Sequence, residues 1–441
     1  MTAAAVIAHP EGLAARRALR AARIRGVVFA ALGLISFYFA ASALETAALF
    51  SFWIDKQGGQ SAQLQTSVGA LWIVAGVASG VVGILQLVRG AAFPWRRWLF
   101  IVFPPYIAVT IAALLNGTAA NLTGVISGSL VLAAPITLGA LAGILSERSG
   151  MLNIALEGKM LAGACVASIV ASVVLNTFNV SPSDPGYGTA ALVGAMAGIA
   201  AAMLTGALMG LLLAWLGIRH KVDQIIAGTV INIGAVGITN FLFLRVLGRN
   251  TELNTPPTIE PLRLPLLADI PVLGPIFFST KPYVYVAIIF VIILTYLLFR
   301  TRWGLRLRAS GEKPAAAGTV GINVLAIRYR ALLLAGLLAG LAGSYLSLSA
   351  AGSFQMGMSA GKGFIALAAM IFGAWHPIGA LGAALVFGFA DQAQSLLSIL
   401  GVQVPPQLLN SVPYIVTIIV VAGVVGRVRG PASAGMPYEQ G

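Results

Sequence analysis

The chain has 441 residues, of which 9% are charged and 59% hydrophobic, with 51 glycines, where an ordinary soluble domain is roughly 25% charged. So few polar groups leave too little wettable surface to enclose one core, which excludes a soluble globular enzyme. The net charge of +14 would suit nucleic acid if the 27 basic residues shared a face, but in so apolar a chain it is first a test of the positive-inside rule, and the lone cysteine, Cys165, excludes an internal disulfide or a cysteine metal centre.

Apolar runs of about 18 residues or more read as membrane helices, since roughly 20 residues cross the hydrocarbon. They fall at 26–44, 68–88, 98–115, 124–145, 151–175, 190–216, 225–247, 283–299, 330–350, 363–375, 377–399 and 412–426. An all-α integral membrane protein of about 12 transmembrane helices is expected, or about 11 if the short 363–375 run is re-entrant.

Arg16, Arg17, Arg20, Arg23 and Arg25 precede the first run, and Arg89, Arg96 and Arg97 follow the second. Arg148 follows the fourth, Arg219 and Lys221 the sixth, a block from Arg300 to Arg330 the eighth, and Arg427 and Arg429 the last. All lie on one side if the N-terminus is cytoplasmic, which puts 20 of the 27 basic residues there, and the C-terminus with them. Residues 16–25, the first run and Ala41-Ser42-Ala43 also have the general shape of a cleaved signal; an uncleaved signal anchor suits a multi-span chain better.

Two outer loops interrupt the spans. Residues 176–189 are short and polar, and residues 248–282 carry seven prolines from Pro256 to Pro282, which argue for a stiff extended cover and against helix. The expected organisation is a basic cytoplasmic N-terminus at 1–25, three additional transmembrane helices within 26–115, a transport core at 121–430 and a cytoplasmic tail at 431–441.

Inside the spans, Gly139/Gly143, Gly194/Gly198, Gly206/Gly210 and Gly336/Gly340 are small-xxx-small pairs that let helices approach closely. Asp391, beside Gln392 and Gln394, must face a neighbouring helix or a watery path, because a charge at the bilayer centre costs about 2.5–3.5 kcal/mol. Asn232 and Asn240 lie on nearly the same face of one helix and suit either a solute path or interhelical hydrogen bonds. Glu157 and Lys159 are expected near a cytoplasmic helix end where charges snorkel, and Arg245 and Lys362 as interfacial anchors near outer ends.

Catalytic chemistry finds no support. The run Gly357 to Gly363 has too few residues between its glycines for a phosphate loop and no hydroxyl after Lys362, and His9, His220 and His376 show no ligand spacing, so no metal or catalytic residue is expected. The segment 300–330 stands out: it is basic, and Pro314 is suited to open a short helix bounded by Gly318 and Gly321.

That segment, Gly311-Glu312-Lys313-Pro314-Ala315-Ala316-Ala317 with Gly321-Ile322 and Val324, resembles the coupling segment of bacterial ATP-binding-cassette importer permeases of the branched-chain amino acid and simple-sugar type. The run Gly143 to Gly158, with Glu147, Gly150, Asn153, Glu157 and Gly158, is similar to the nucleoside-transporting subgroup, and residues 341–348 and 361–373 continue the likeness. The resemblance covers 121–430 and implies an inverted-repeat core of the type II importer kind in a bacterial inner membrane. It implies a second permease, copy or homologue, and a periplasmic or lipoprotein solute-binding protein. ATP and Mg would be held by a separate ATPase subunit, docked on Glu312, Pro314, Ala316, Ala317 and Gly321. Gly318-Thr319-Val320 departs from the usual helix-favouring stretch, so the docking helix is expected to end early. Asp391, Gln392, Asn232 and Asn240 are the candidate path residues. A short echo between Ile154-Ala155-Leu156 and Ile365-Ala366-Leu367 fits inverted repeats. Simple sugars are the alternative solute. An ion-coupled secondary transporter is the alternative mechanism, disfavoured because Asp391 has no ionisable neighbour in sequence. A membrane enzyme would have only Glu147/Glu157 as a carboxylate pair.

Overall fold

A computed structural model of the chain describes residues 10–54, 60–94, 98, 101–102, 105–106, 109, 119–270, 272–399 and 430–438. The chain divides into two compact units, Met1–Gly124 with Leu397–Gln403 and Val125–Leu396 with Val404–Gly441.

In the first unit, α1 (Pro10–Ser42) takes in the basic cluster as well as the first apolar run, and pairs with α2 (Val68–Arg89). The approach is close: a Cβ on Gly33 would lie 3.0 Å from the Gly76 carbonyl oxygen. Ser67 caps α2 by accepting from the Ala70 N–H at 3.0 Å. Between them β1 (Ala47–Ile54) and β2 (Gln60–Ser67) pair antiparallel, and β3 (Ala119–Asn121) joins β1 in parallel. A search for long apolar runs is blind to such strands, whose signal is the β-favouring Phe-Ser-Phe-Trp-Ile of β1. The expected span at 98–115 falls mostly outside the described residues.

The second unit is helical: α3 (Leu122–Arg148), α4 (Leu156–Thr177), α5 (Tyr187–Ala214), α6 (Gln224–Leu242), α7 (Pro282–Arg300), α8 (Arg302–Glu312), α9 (Pro314–Thr319), α10 (Val324–Tyr345), α11 (Lys362–Phe372) and α12 (Pro377–Ile399). α5, α6 and α10 each end in a π-helical turn. Among the described residues of both units, eight helices are long and apolar enough to cross a membrane.

The spans agree with expectation to within a few residues, with three corrections. α4 begins at Leu156 rather than 151, because Gly150 takes φ +93° and turns the chain out of helix. α10 begins at Val324, where the Asn323 side chain accepts from the Ala326 N–H, so Arg328 lies inside a helix and is buried. The 363–375 run is an 11-residue helix, about 16 Å long against a hydrocarbon of about 30 Å, and does not cross. The expected span at 412–426 lies outside the described residues.

All four glycine pairs sit at helix contacts. Gly206 and Gly210 of α5 interlock with Gly336 and Gly340 of α10, so a Cβ on any of the four would strike partner backbone. Gly198 approaches the Ala167 carbonyl, Gly139 faces Ala366, and Gly143 faces Met370. The 248–282 cover is less extended than its prolines suggest. It holds one helical turn at Thr251–Asn254, a π turn at Gly274–Phe278 opened by Pro275, and a two-residue strand pair, β4 (Leu262–Arg263) with β5 (Ser279–Thr280). Asn254 pins it to the core: its amide donates to the Phe354 carbonyl at 2.9 Å, and its oxygen accepts from the Phe354 N–H at 2.7 Å and the Ser168 hydroxyl at 2.7 Å.

Candidate functional site

Two helices begin inside the bundle, and each borrows the acceptor for its first amides from another helix. α4 has Ala155 at its cap position, which offers no side-chain oxygen. Asn232 of α6 replaces it: Oδ1 accepts from the Gly158 N–H at 2.8 Å and Nδ2 donates to the Ile154 carbonyl at 2.9 Å. α11 begins after Gly361, equally without a cap, and Glu157 serves it. Its Oε1 accepts from the Gly361 N–H at 2.9 Å and its Oε2 from the Gly363 N–H at 2.7 Å. A carboxylate there also meets the positive end of the helix dipole.

The other end of α11 is clamped by α3. Arg148 Nε donates to the Trp375 carbonyl at 3.1 Å, and Glu147 Oε2 accepts from the Trp375 indole N–H at 2.7 Å. Ala374 and Trp375 both sit at left-handed φ, +55° and +52°, a conformation held only where the surroundings over-determine it. His376 stacks on Phe299 at 4.7 Å, and burial together with the nearby Arg148 charge holds its pKa below the ordinary histidine value. With one end of α11 at Arg148, its other end and Glu157 lie about 16 Å along the helix from that clamp. A second ruler agrees. Leu152 N–H donates to Gln224 Oε1 at 2.7 Å at the start of α6, and Asn232 lies about 12 Å further along that helix.

The snorkelling expected of Glu157 and Lys159 is therefore wrong: both are buried, Lys159 completely. Glu157 is held by the amides of α11, and Lys159 Nζ donates to Asn153 Oδ1 at 2.7 Å. Lys362 is no interfacial anchor either. Its Nζ lies 3.6 Å from Asp391 Oδ2, with both side chains mostly shielded. Asp391 thus has the ionisable partner that the linear sequence hides. Gln392 packs against Gly128 of α3.

Of the four candidate path residues, Asp391 meets the start of α11 through Lys362, while Gln392 faces Gly128 of α3. Asn232 sits behind Gly158 with both amide groups engaged, and Asn240 lies farther along α6 with a buried Oδ1 that finds no partner. Glu147, Gly150, Asn153, Glu157 and Gly158 all belong to the turn and clamp just described. Lys362 and Trp375 were missed as partners. The available signal was a helix start at Gly361-Lys362-Gly363 with no capping side chain of its own, which must find an acceptor elsewhere.

The 300–330 segment forms a separate surface at the Arg148 end. Thr301 caps α8, and Pro314 opens α9. α9 runs through Gly318 to Thr319, and Gly321 follows at φ +79° in open space. Ala316 and Gly321 are exposed, Val320 is 73% exposed, and Ala317 is buried. Ala309, Glu312, Lys313, Ala316, Val320 and Ile322 line a shallow groove of about 390 Å³ beside α9. Glu312 points along this groove and accepts from the Ala432 N–H at 3.3 Å.

A family model described as branched-chain amino acid transport system / permease component matches residues 125–421. The guanosine ABC transporter permease protein NupQ of Bacillus subtilis (strain 168) is 41% identical over 323 residues, 72% of this chain and 97% of that protein. The nucleoside ABC transporter permease protein NupC of Lactococcus lactis subsp. cremoris (strain MG1363) is 39% identical over 320 residues, 71% of this chain and 96% of that protein. No solved structure matches the chain.

Proposed function

The chain belongs to the branched-chain amino acid transport system permease family, and from that premise we propose that it is the membrane-spanning subunit of an ATP-driven importer of nucleosides. The observation that carries the solute class is the 41% identity to a guanosine permease across 97% of that protein's length. The geometry supports a translocating role. Two helix starts meet through Glu157, as in transporters whose solute site lies between broken helices.

Nucleosides are neutral and rich in hydrogen-bonding edges, so a path needs donors and acceptors rather than a net charge. Asp391 and Lys362, which neutralise each other, offer such a set beside the start of α11, with Gln392 toward α3. Asn240 would extend it along α6, while Asn232 is better suited to holding α4 in place. In this reading the end carrying Arg148 and Arg300 faces the cytoplasm of a bacterial inner membrane, with both termini on that side. ATP and Mg are bound and hydrolysed in a partner subunit whose surface receives α9 and the groove beside it, with Pro314, Ala316, Ala317 and Gly321 setting the fit. A second permease, copy or homologue, and a solute-binding protein complete the importer. Residues 26–115 are read as three added transmembrane helices and 121–430 as the transport core, a division that agrees with the family match beginning at residue 125.

Lys362 gives Asp391 an ionisable neighbour, and uptake that requires ATP and continues without an ion gradient distinguishes the importer from an ion-coupled carrier. Uptake of radiolabelled guanosine by cells carrying the complete importer, competed by unlabelled nucleosides or by ribose, tests the solute. Competition by nucleosides at far lower concentration than ribose is expected; the reverse order would transfer the assignment to simple sugars.

A further inference from the structure

Among the described helices, the short α9 packs chiefly against its chain neighbours α8 and α10. A displacement imposed on it by a partner therefore needs a further link to reach the turns that hold α11. α8 reaches the α3–α4 turn directly, through the Ser310 hydroxyl donating to the Ser149 carbonyl at 3.0 Å and through Gly311 packed on the Arg148 and Gly150 backbone. The remaining links come from residues 430–438, which are threaded through this end of the unit.

Gly430 lies on the Trp375 indole, where an added Cβ would be 3.0 Å from the ring. Ala432 N–H donates to Glu312 Oε2 at 3.3 Å, and Ser433 bonds Gly311 twice, with its N–H at 2.9 Å and its hydroxyl at 2.5 Å from the Gly311 carbonyl. Gly435 N–H donates to the Gly150 carbonyl at 3.1 Å. Arg328, 1% exposed, donates through Nη1 to the Met436 carbonyl at 3.0 Å, and its guanidinium stands 6.0 Å from the centre of the Tyr438 ring. The Tyr438 hydroxyl in turn rests on Gly318 of α9. One nine-residue strap thus touches α8, α9, α10, the α3–α4 turn and the α11–α12 turn. Its bonds are mostly to backbone carbonyls of these elements, so releasing it would forfeit those hydrogen bonds.

We propose that residues 430–438 form a coupling clasp, which joins the ATPase-facing segment to both turns that hold α11 and carries displacement of α9 to the Glu157 junction. This rests on the ATP-driven reading above and adds to it a part outside the docking helix itself. The clasp predicts a specific defect: an importer that still hydrolyses ATP but moves little solute.

The test uses the whole importer in proteoliposomes, with radiolabelled guanosine outside and ATP supplied to the ATPase, and measures guanosine moved per ATP hydrolysed. Ser433→Ala combined with Tyr438→Ala should lower that ratio by on the order of tenfold while hydrolysis stays at the parent rate, within the usual range of coupling between sites. Ser433→Thr with Tyr438 retained, which keeps the hydroxyl on Gly311, the ring on Arg328 and the phenol oxygen on Gly318, should leave it at the parent value. Uptake and hydrolysis falling in equal proportion, or an unchanged ratio in an importer whose parent is ATP-dependent, would overturn the clasp alone. A parent that imports guanosine without ATP would overturn the clasp together with the reading on which it rests.

Discussion

The interface between α5 and α10 and the junction between α4 and α11 lie in the same unit and are held in opposite ways. At the first, Gly206, Gly210, Gly336 and Gly340 bring two backbones together because side chains are missing. At the second, Glu157, Asn232, Glu147 and Arg148 supply groups that short helix ends lack. One region tolerates no addition and the other no removal. The difference matches their tasks: a glycine seam fixes a rigid frame, whereas a junction of directed hydrogen bonds can be exchanged between two arrangements.

The largest effect is expected at the seam. Gly206→Leu places a side chain into the Gly336 backbone and should cost about 3 kcal/mol or more, read as loss of folded protein in detergent thermal unfolding. A variant that folds and melts like the parent would show that the seam is not a frame. Next comes removal at the junction. Glu157→Ala leaves the Gly361 and Gly363 amides without acceptors and should destabilise by about 2–4 kcal/mol, whereas Glu157→Gln, which keeps an acceptor for one of the two amides and turns a donor on the other, should cost about 1–2 kcal/mol. Equal losses from the two would mean that charge rather than hydrogen bonding holds α11.

The Asp391–Lys362 pair comes third. Lys362→Met or Asp391→Asn alone should cost about 1–2 kcal/mol and lower uptake, and the double variant should recover part of the loss, because each single change strands a shielded charge. Strictly additive losses would separate the two residues. The smallest effect is expected at Gly321, where nothing crowds an added Cβ and only the left-handed φ resists: Gly321→Ala should cost about 1 kcal/mol and leave hydrolysis largely intact.

The seam was legible in the sequence, since a spacing of four places two small residues on one face whatever the neighbours are. Pro314 likewise marked the start of α9, because a first turn has no use for the N–H that proline lacks. The junction was not legible. Glu157 and Gly361 are 204 positions apart, and a carboxylate early in an apolar run looks the same whether it snorkels to an interface or caps a distant helix. Lys362 was misplaced for a related reason: position in a hydropathy profile fixes depth only when the helix crosses, and α11 is too short to cross. The β1–β2 hairpin escaped because hydropathy windows average over strand alternation. The strap at 430–438 is short and unremarkable in composition, and its role comes entirely from what it touches.

The central claim is that ATP hydrolysed by a partner docked on α9 moves nucleosides through this chain. Guanosine uptake into proteoliposomes, measured with and without the ATPase subunit and again with Gly321→Trp, tests it most directly. Uptake that requires both ATP and the ATPase and is abolished by the tryptophan is the predicted result. Uptake that persists without the ATPase, or that survives the tryptophan unchanged, would contradict it.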